Sequence, residues 1–160
     1  MDKSFISVTL NKGAVAIVDL EFKEFVESVN WHLHADGYAY GRNKKLKKMQ
    51  YMHRAIMNAP VGVEVDHINH DKLDNRKCNL RLCTSSQNKA AAIKYKTWAD
   101  KASIYKGVGW NKHAGKWIAR IKVNKKSIHL GVFIDEQEAA LAYNKKAVEF
   151  FGEFAVINEL

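Results

Sequence analysis

One stretch concentrates the side chains that could do chemistry: Val65-Asp66-His67-Ile68-Asn69-His70-Asp71-Lys72-Leu73-Asp74-Asn75-Arg76. Asp66 and His67 close an apolar, strand-like run over Val61–Val65, and Asn88 falls in a helix after a second such run, Asn79–Cys83. This order puts a carboxylate, an imidazole and a carboxamide oxygen around one small cleft. Oxygen donors favour a hard divalent ion such as Mg2+ over zinc. A neutral imidazole takes a proton from water near pH 7, and an ion on a phosphate diester stabilises the departing oxygen. The chemistry is phosphodiester hydrolysis. Each piece also has a structural reading. A single His on a strand commonly packs, and Asp or Asn near turns commonly bonds to local backbone. His32, His34, His53, His70, His113 and His129 cannot all be catalytic.

The elements that must position these residues read as strand, loop, strand, helix. Ser85 or Ser86 is the expected cap of a helix running through Asn88 to about Tyr95. Upstream, Tyr51–Met57 reads as a short helix halted at Asn58-Ala59-Pro60. A β-rich lead precedes it. Phe5–Leu10 and Ala14–Val18 flank the turn Asn11-Lys12-Gly13, and Asp19 is placed to cap a helix carrying Phe22, Val26 and Val29. Trp31–Leu33 and Tyr38–Tyr40 flank Ala-Asp-Gly, a hairpin signal. The basic run Arg42, Lys44, Lys45, Lys47 and Lys48 reads either as a solvated loop or as phosphate contacts.

After a linker at 99–103 the pattern changes to three strands, about Tyr105–Trp110, Lys116–Val123 and Lys126–Phe133. Asp135 and Glu138 form a capping box for a helix to about Phe151, with Gly152 as its stop. Ala139, Tyr143, Ala147 and Phe150 share the helix face expected to pack on the sheet.

Composition narrows the partners. The 160 residues hold 26 Lys and Arg against 17 Asp and Glu, a net charge of +9, and 47% are apolar. Such a chain buries a core and seeks a polyanion, with nucleic acid ahead of an anionic membrane. Its basic segments are strand-like, which disfavours the membrane, and no apolar run approaches the ~20 residues of a span. No signal-peptide pattern opens the chain, and Cys78 and Cys83 exclude a disulfide framework, so an intracellular, cytoplasmic setting is expected. The charge is uneven. From Tyr105 to Leu130 seven residues are basic and none acidic, whereas from Gly131 on two basics face six acids.

Tyr51-Met52-His53-Arg54-Ala55-Ile56-Met57, Val65-Asp66-His67, Leu73-Asp74-Asn75-Arg76, Asn79-Leu80-Arg81 and Ser86-Gln87-Asn88, in that order over about 51–95, resemble an HNH homing-type endonuclease. The resemblance implies a ββα-metal fold and cleavage of DNA. It assigns His67 as general base, Asp66 and Asn88 as ligands of a divalent ion (Mg2+, with Mn2+ as substitute), and Asn79 as the brace of the intervening loop. His53, Asn75 and Arg76 match frequent positions with structural or phosphate-contacting roles. Many relatives bind a structural zinc through two CxxC pairs. With only Cys78 and Cys83 a four-sulfur site cannot form, and no structural zinc is expected.

Tyr105-Lys106-Gly107-Val108, Gly115-Lys116-Trp117-Ile118-Ala119-Arg120-Ile121, His129-Leu130-Gly131-Val132-Phe133 and Glu138-Ala139-Ala140-Leu141-Ala142-Tyr143-Asn144 resemble an AP2 DNA-binding domain. That family lays its sheet in the major groove. The resemblance implies DNA contacts by Lys106, Trp110, Lys112, Trp117, Arg120, Lys122 and His129; Arg42, Lys44 and Lys45 of the basic run are separate candidate phosphate contacts. Packing on the helix is the other reading of Trp110 and Trp117. Residues after Gly-Val and at Arg120 depart from the plant pattern, so base preference does not transfer.

The expected fold class is α+β: an HNH ββα-metal unit with a β-rich N-terminal lead over 1–98, then an AP2-like sheet and helix over 104–160. The expected partner is double-stranded DNA, bound by a monomer. A DNA-binding regulator that no longer cuts, or an RNA-processing nuclease, are the competing functions.

Overall fold

Runs of alternating apolar residues become short antiparallel strands throughout the computed structural model, which describes residues 4–44, 47–93 and 103–160. The architecture is α+β, in two units that divide between Thr84 and Ser85.

In the first unit, strands β1 (Phe5–Thr9) and β2 (Val15–Asp19) pair around a turn in which Lys12 and Gly13 take φ of 58° and 73°. A short helix, α1 (Lys23–Glu27), leads into a sheet ordered β3-β4-β5, with β3 Val29–Leu33, β4 Ala39–Asn43 and β5 Met49–Tyr51. Helix α2 (Met52–Ile56) follows, and then β6 (Glu64–His67) pairs with β7 (Leu80–Cys83). Ala16, Val18, Val26, Val29, Trp31, Ala39, Met52, Ile56, Val65 and Leu80 form one buried cluster. The N-terminal lead and the β6–β7 hairpin therefore share a single core, and neither half of the unit buries its apolar face without the other.

Local chemistry moved several predicted boundaries. The strand expected over Val61–Val65 begins only at Glu64 and runs on to His67, leaving Val61 fully exposed. The cause is Arg54, whose guanidinium donates to the carbonyls of Val63 (2.6 Å), Ala59 (3.2 Å) and Pro60 (2.9 Å) and holds this stretch as a turn. Asp19 makes no helix cap; its Oδ2 accepts the Lys77 N–H at 2.7 Å, which ties β2 to the turn before β7. Val29 opens β3 instead of extending the α1 face.

The second unit contains α3 (Ser85–Ala91) and a sheet ordered β10-β9-β8, with β8 Val108–Asn111, β9 Lys116–Val123 and β10 Lys126–Phe133. Helix α4 (Glu136–Phe151) packs on that sheet. Asp135 caps it as expected, accepting from the N–H groups of Gln137 (2.6 Å) and Glu138 (3.0 Å). Gly152, at φ 51°, ends it. Ala139, Tyr143 and Ala147 are buried as predicted, but the last core position is Phe151, with Phe150 40% exposed. Gly107 is required. At φ 77°, a Cβ there would lie 2.0 Å from the Tyr143 ring. Ser85 and Ser86, the two expected caps, are the first two residues of α3 itself. The expected continuation to Tyr95, and the linker up to residue 102, lie outside the described residues.

Candidate active site

Asp66 and His67 are the last two residues of β6, and both are buried. Asp66 pairs in register with Arg81 on β7. Arg81 Nε and Nη2 both reach Asp66 Oδ2, at 2.8 and 2.7 Å. A carboxylate gripped through one oxygen keeps its direction and presents the other.

The loop after His67 is built by hydrogen bonds from Asn79. Its backbone carbonyl accepts the Ile68 N–H at 2.9 Å, its Oδ1 accepts the Asn69 N–H at 2.9 Å, and its Nδ2 donates to the Asp74 carbonyl at 2.8 Å. Asp74 extends the network. Its carboxylate accepts from Asn69 Nδ2 (2.9 Å) and takes a two-pronged grip from Arg76 at 2.8 and 2.7 Å. Strand β2 anchors the same loop from outside, because Ile17 donates to Leu73 at 2.8 Å and accepts from Asn75 at 2.8 Å. Asn79 thus makes three hydrogen bonds to this loop. Asp74, Arg81 and the Ile17 anchor had not been read from the sequence.

His67 sits against an aromatic wall formed by Tyr38 of the lead and His53 of α2. The His53 and Tyr38 ring centroids lie 5.2 and 5.7 Å from its own, and Tyr38 and His53 meet tilted at 4.8 Å. Burial holds His67 below the ordinary imidazole value, opposed by the Asn75 side chain and by the carboxylates of Asp66, Asp71 and Asp74. Burial pushes His53 much further, down to about 3, with the neighbouring His67 and Arg54 acting in the same direction. His67 Nε2, His53 Nδ1 and Asn75 Oδ1 are buried without a hydrogen-bond partner. An imidazole kept neutral with a nitrogen unspent is suited to accept a proton.

Among the described residues no group of three or more His, Cys, Asp or Glu side chains is arranged to hold a metal ion. Asp66 and Asn88 are both oxygen donors, and Mg2+ characteristically takes one or two protein oxygens with phosphate and water completing its shell. Asp66 belongs to the first unit and Asn88, half-buried, to the second. Cys78 is exposed and Cys83 buried, both as free thiols, and burial raises Cys83 to about 11. No helix among the described residues is long and apolar enough to cross a membrane.

The residues expected to touch DNA separate by face. On β9, Ala119 and Ile121 are buried toward α4, whereas Arg120 and Lys122 point outward and are exposed. His129 pairs with Arg120 in register and shares that outward face. Lys112 is exposed just beyond β8. Trp117 packs on the core with Leu130 and Phe133, and Trp110, its cross-strand partner, meets it edge-on at 5.0 Å. Both indoles thus lie on the helix-facing side of the sheet, because alternation puts them in phase with Ala119. Lys106 is half-buried with its ammonium on the carbonyls of Lys89, Ala90 and Ala92. In the first unit Arg42 and Lys44 are exposed, and Lys45 lies outside the described residues.

With this arrangement in view, the comparisons define the class. The HNH endonuclease family profile matches residues 51–90, the span that holds β6, β7 and most of α3. An uncharacterized HNH endonuclease of Acanthamoeba polyphaga mimivirus is 34% identical over 155 residues, covering 93% of this chain and 77% of the viral one. The chain belongs to the HNH endonuclease family. A second relationship covers less of it. One AP2-like ethylene-responsive transcription factor of Arabidopsis thaliana is 34% identical over 109 residues, which are 65% of this chain and 20% of the factor. Another is 46% identical over 59 residues, 36% of this chain and 10% of the factor.

Proposed function

We propose that the protein is a divalent-metal-dependent DNA endonuclease of the HNH homing type, tethered to duplex DNA by its AP2-like unit. The observation that carries this reading is the Asn79-braced loop, which fixes the backbone beside an Asp66–His67 pair whose imidazole is buried and neutral. His67 accepts the proton of a water whose oxygen bonds to phosphorus. The bond from phosphorus to the 3′ oxygen breaks, and that oxygen takes a proton from solvent water, leaving a 5′-phosphate and a 3′-hydroxyl. Asp66 and Asn88 would hold the divalent ion that a ββα-metal fold uses, and its charge would stabilise the phosphate and the departing oxygen. Asn79 keeps the loop in place, and Arg81 holds Asp66 in its direction.

The AP2-like unit supplies the grip through its outward face. Arg120 and His129 pair in register there, Lys122 shares the outward face two residues on, with Lys112 at the rim, and Arg42 and Lys44 add phosphate contacts from the first unit. Trp110 and Trp117 serve that surface by holding the sheet on α4, not by entering the groove. The protein works as a monomer inside the cell, where Cys78 and Cys83 remain reduced. The test is nicking of supercoiled plasmid in Mg2+. Cutting is expected, with loss on addition of EDTA and return on Mn2+; cutting undiminished by EDTA would exclude the proposed ion.

A further inference from the structure

Helix α3, which carries Asn88, is held at both ends by the sheet unit. Near its start Ser86 Oγ accepts the N–H of Asn124, in the turn between β9 and β10, at 3.1 Å. At its far end the Lys106 ammonium donates to the carbonyl of Lys89 at 3.3 Å and to those of Ala90 and Ala92. Ala92 in turn donates to the Asn88 carbonyl at 3.1 Å, so a residue whose carbonyl Lys106 holds is itself hydrogen-bonded to the Asn88 backbone. Between these ends α3 packs on α4 and on the 152–154 turn, burying Ala90 and Ala91.

Lys106 does not reach α3 from a loose loop. Its N–H donates to Asn158 Oδ1 at 2.6 Å and its carbonyl accepts from Asn158 Nδ2 at 3.1 Å. Asn158 is locked to Asn144 of α4 by two further bonds, at 2.7 and 2.9 Å. A connected path therefore runs from α4 through Asn158 and Lys106 to the end of α3. The last carbonyls of a helix lack intrahelical donors and carry the negative end of its dipole, where an ammonium is well placed. Burial lowers the Lys106 ammonium to about 8, as expected of a group withdrawn from water.

We propose that Lys106 is a positioning residue for Asn88: by capping α3 it fixes the axial placement of the helix that carries this ligand. This rests on Asn88 being a ligand, as proposed above.

The test uses the full chain with Lys106→Met and Lys106→Arg, and reads amide exchange over 85–93, Mn2+ affinity by electron paramagnetic resonance, DNA affinity, and kcat against KM. Lys106→Met is expected to speed exchange in α3, weaken Mn2+ about tenfold and lower kcat, with KM and DNA affinity unchanged. Lys106→Arg is expected to restore slow exchange and Mn2+ affinity. Unchanged exchange, unchanged Mn2+ affinity, or a loss confined to DNA affinity would each overturn the inference. Should Lys106→Met fail to fold, Lys106→Gln gives the same readouts with the charge removed and two N–H donors retained. Asn88→Ala runs alongside. If it leaves Mn2+ affinity intact, the ligand assignment fails, and the exchange data still judge the cap by itself.

Discussion

Arg81 and Asp66 face each other across β6 and β7, and both arginine bonds land on a single oxygen, Oδ2, of a nearly buried carboxylate. Removing the guanidinium leaves a charge in the interior with no compensating donor, and such losses cost about 3 kcal/mol or more. Arg81→Met is therefore expected to lower the stability of the first unit by about that amount. Denaturant unfolding without metal measures it. Divalent ions should return part of the loss, because a cation at Asp66 replaces the missing charge.

Asp74 gives the fold an acid-sensitive point. Its carboxyl is held below the usual range chiefly by its hydrogen bond to Arg76, against the opposing effect of burial, and with help from Asn69. A depressed carboxylate contributes stability that is present above its unfolded value, about 3.9, and is lost as pH falls through the lower folded value. Asp74→Asn should cost about 2 kcal/mol at neutral pH. The gap to the parent should close below about pH 4. Thermal melts across pH 7 to pH 2 test this, and a gap that widens on acidification would reverse the sign.

Gly107→Ala should damage the second unit selectively. The new methyl would meet the Tyr143 ring at 2.0 Å and the Arg120 carbonyl at 2.7 Å, on a backbone at φ 77°. Overpacking and strain together predict a loss of about 2–4 kcal/mol. Unfolding followed through the Trp110–Trp117 pair reports it, while probes of the first unit stay unchanged.

The two sides of the C-terminal sheet should behave differently. Ala substitution of Arg120 or Lys122 is expected to weaken binding to all duplex sequences and to reduce the salt slope by about 0.9 per lost phosphate contact. Trp117→Ala should lower the melting temperature and leave that slope unaltered in the folded fraction. Gel-shift titrations at several salt concentrations separate the two effects.

Much of this was legible in the sequence wherever short-range chemistry decides. Asp135 capping α4, the Ala-Asp-Gly hairpin, and the strand–strand–strand–helix order all follow from neighbours a few residues apart. Trp110 and Trp117 show the limit. Period-two alternation fixes that they share a face, but only the packing of α4 says which face is the interior. Lys106 is a sharper case, because a lysine in a basic strand-rich segment reads as a phosphate contact until α3, distant in sequence, supplies carbonyls for it. Asp19 and Asn158 likewise find partners 58 and 52 residues away, at Lys77 and Lys106, beyond any local pattern.

In the proposed mechanism His67 activates the nucleophile for cutting DNA. That role is tested most directly by single-turnover cleavage of duplex DNA in Mg2+ by the parent and by His67→Ala, with binding measured on the same preparations. The account predicts a fall in cleavage rate of about 10²–10⁴-fold with DNA affinity within about twofold of the parent. Equal cleavage by the two proteins would contradict it.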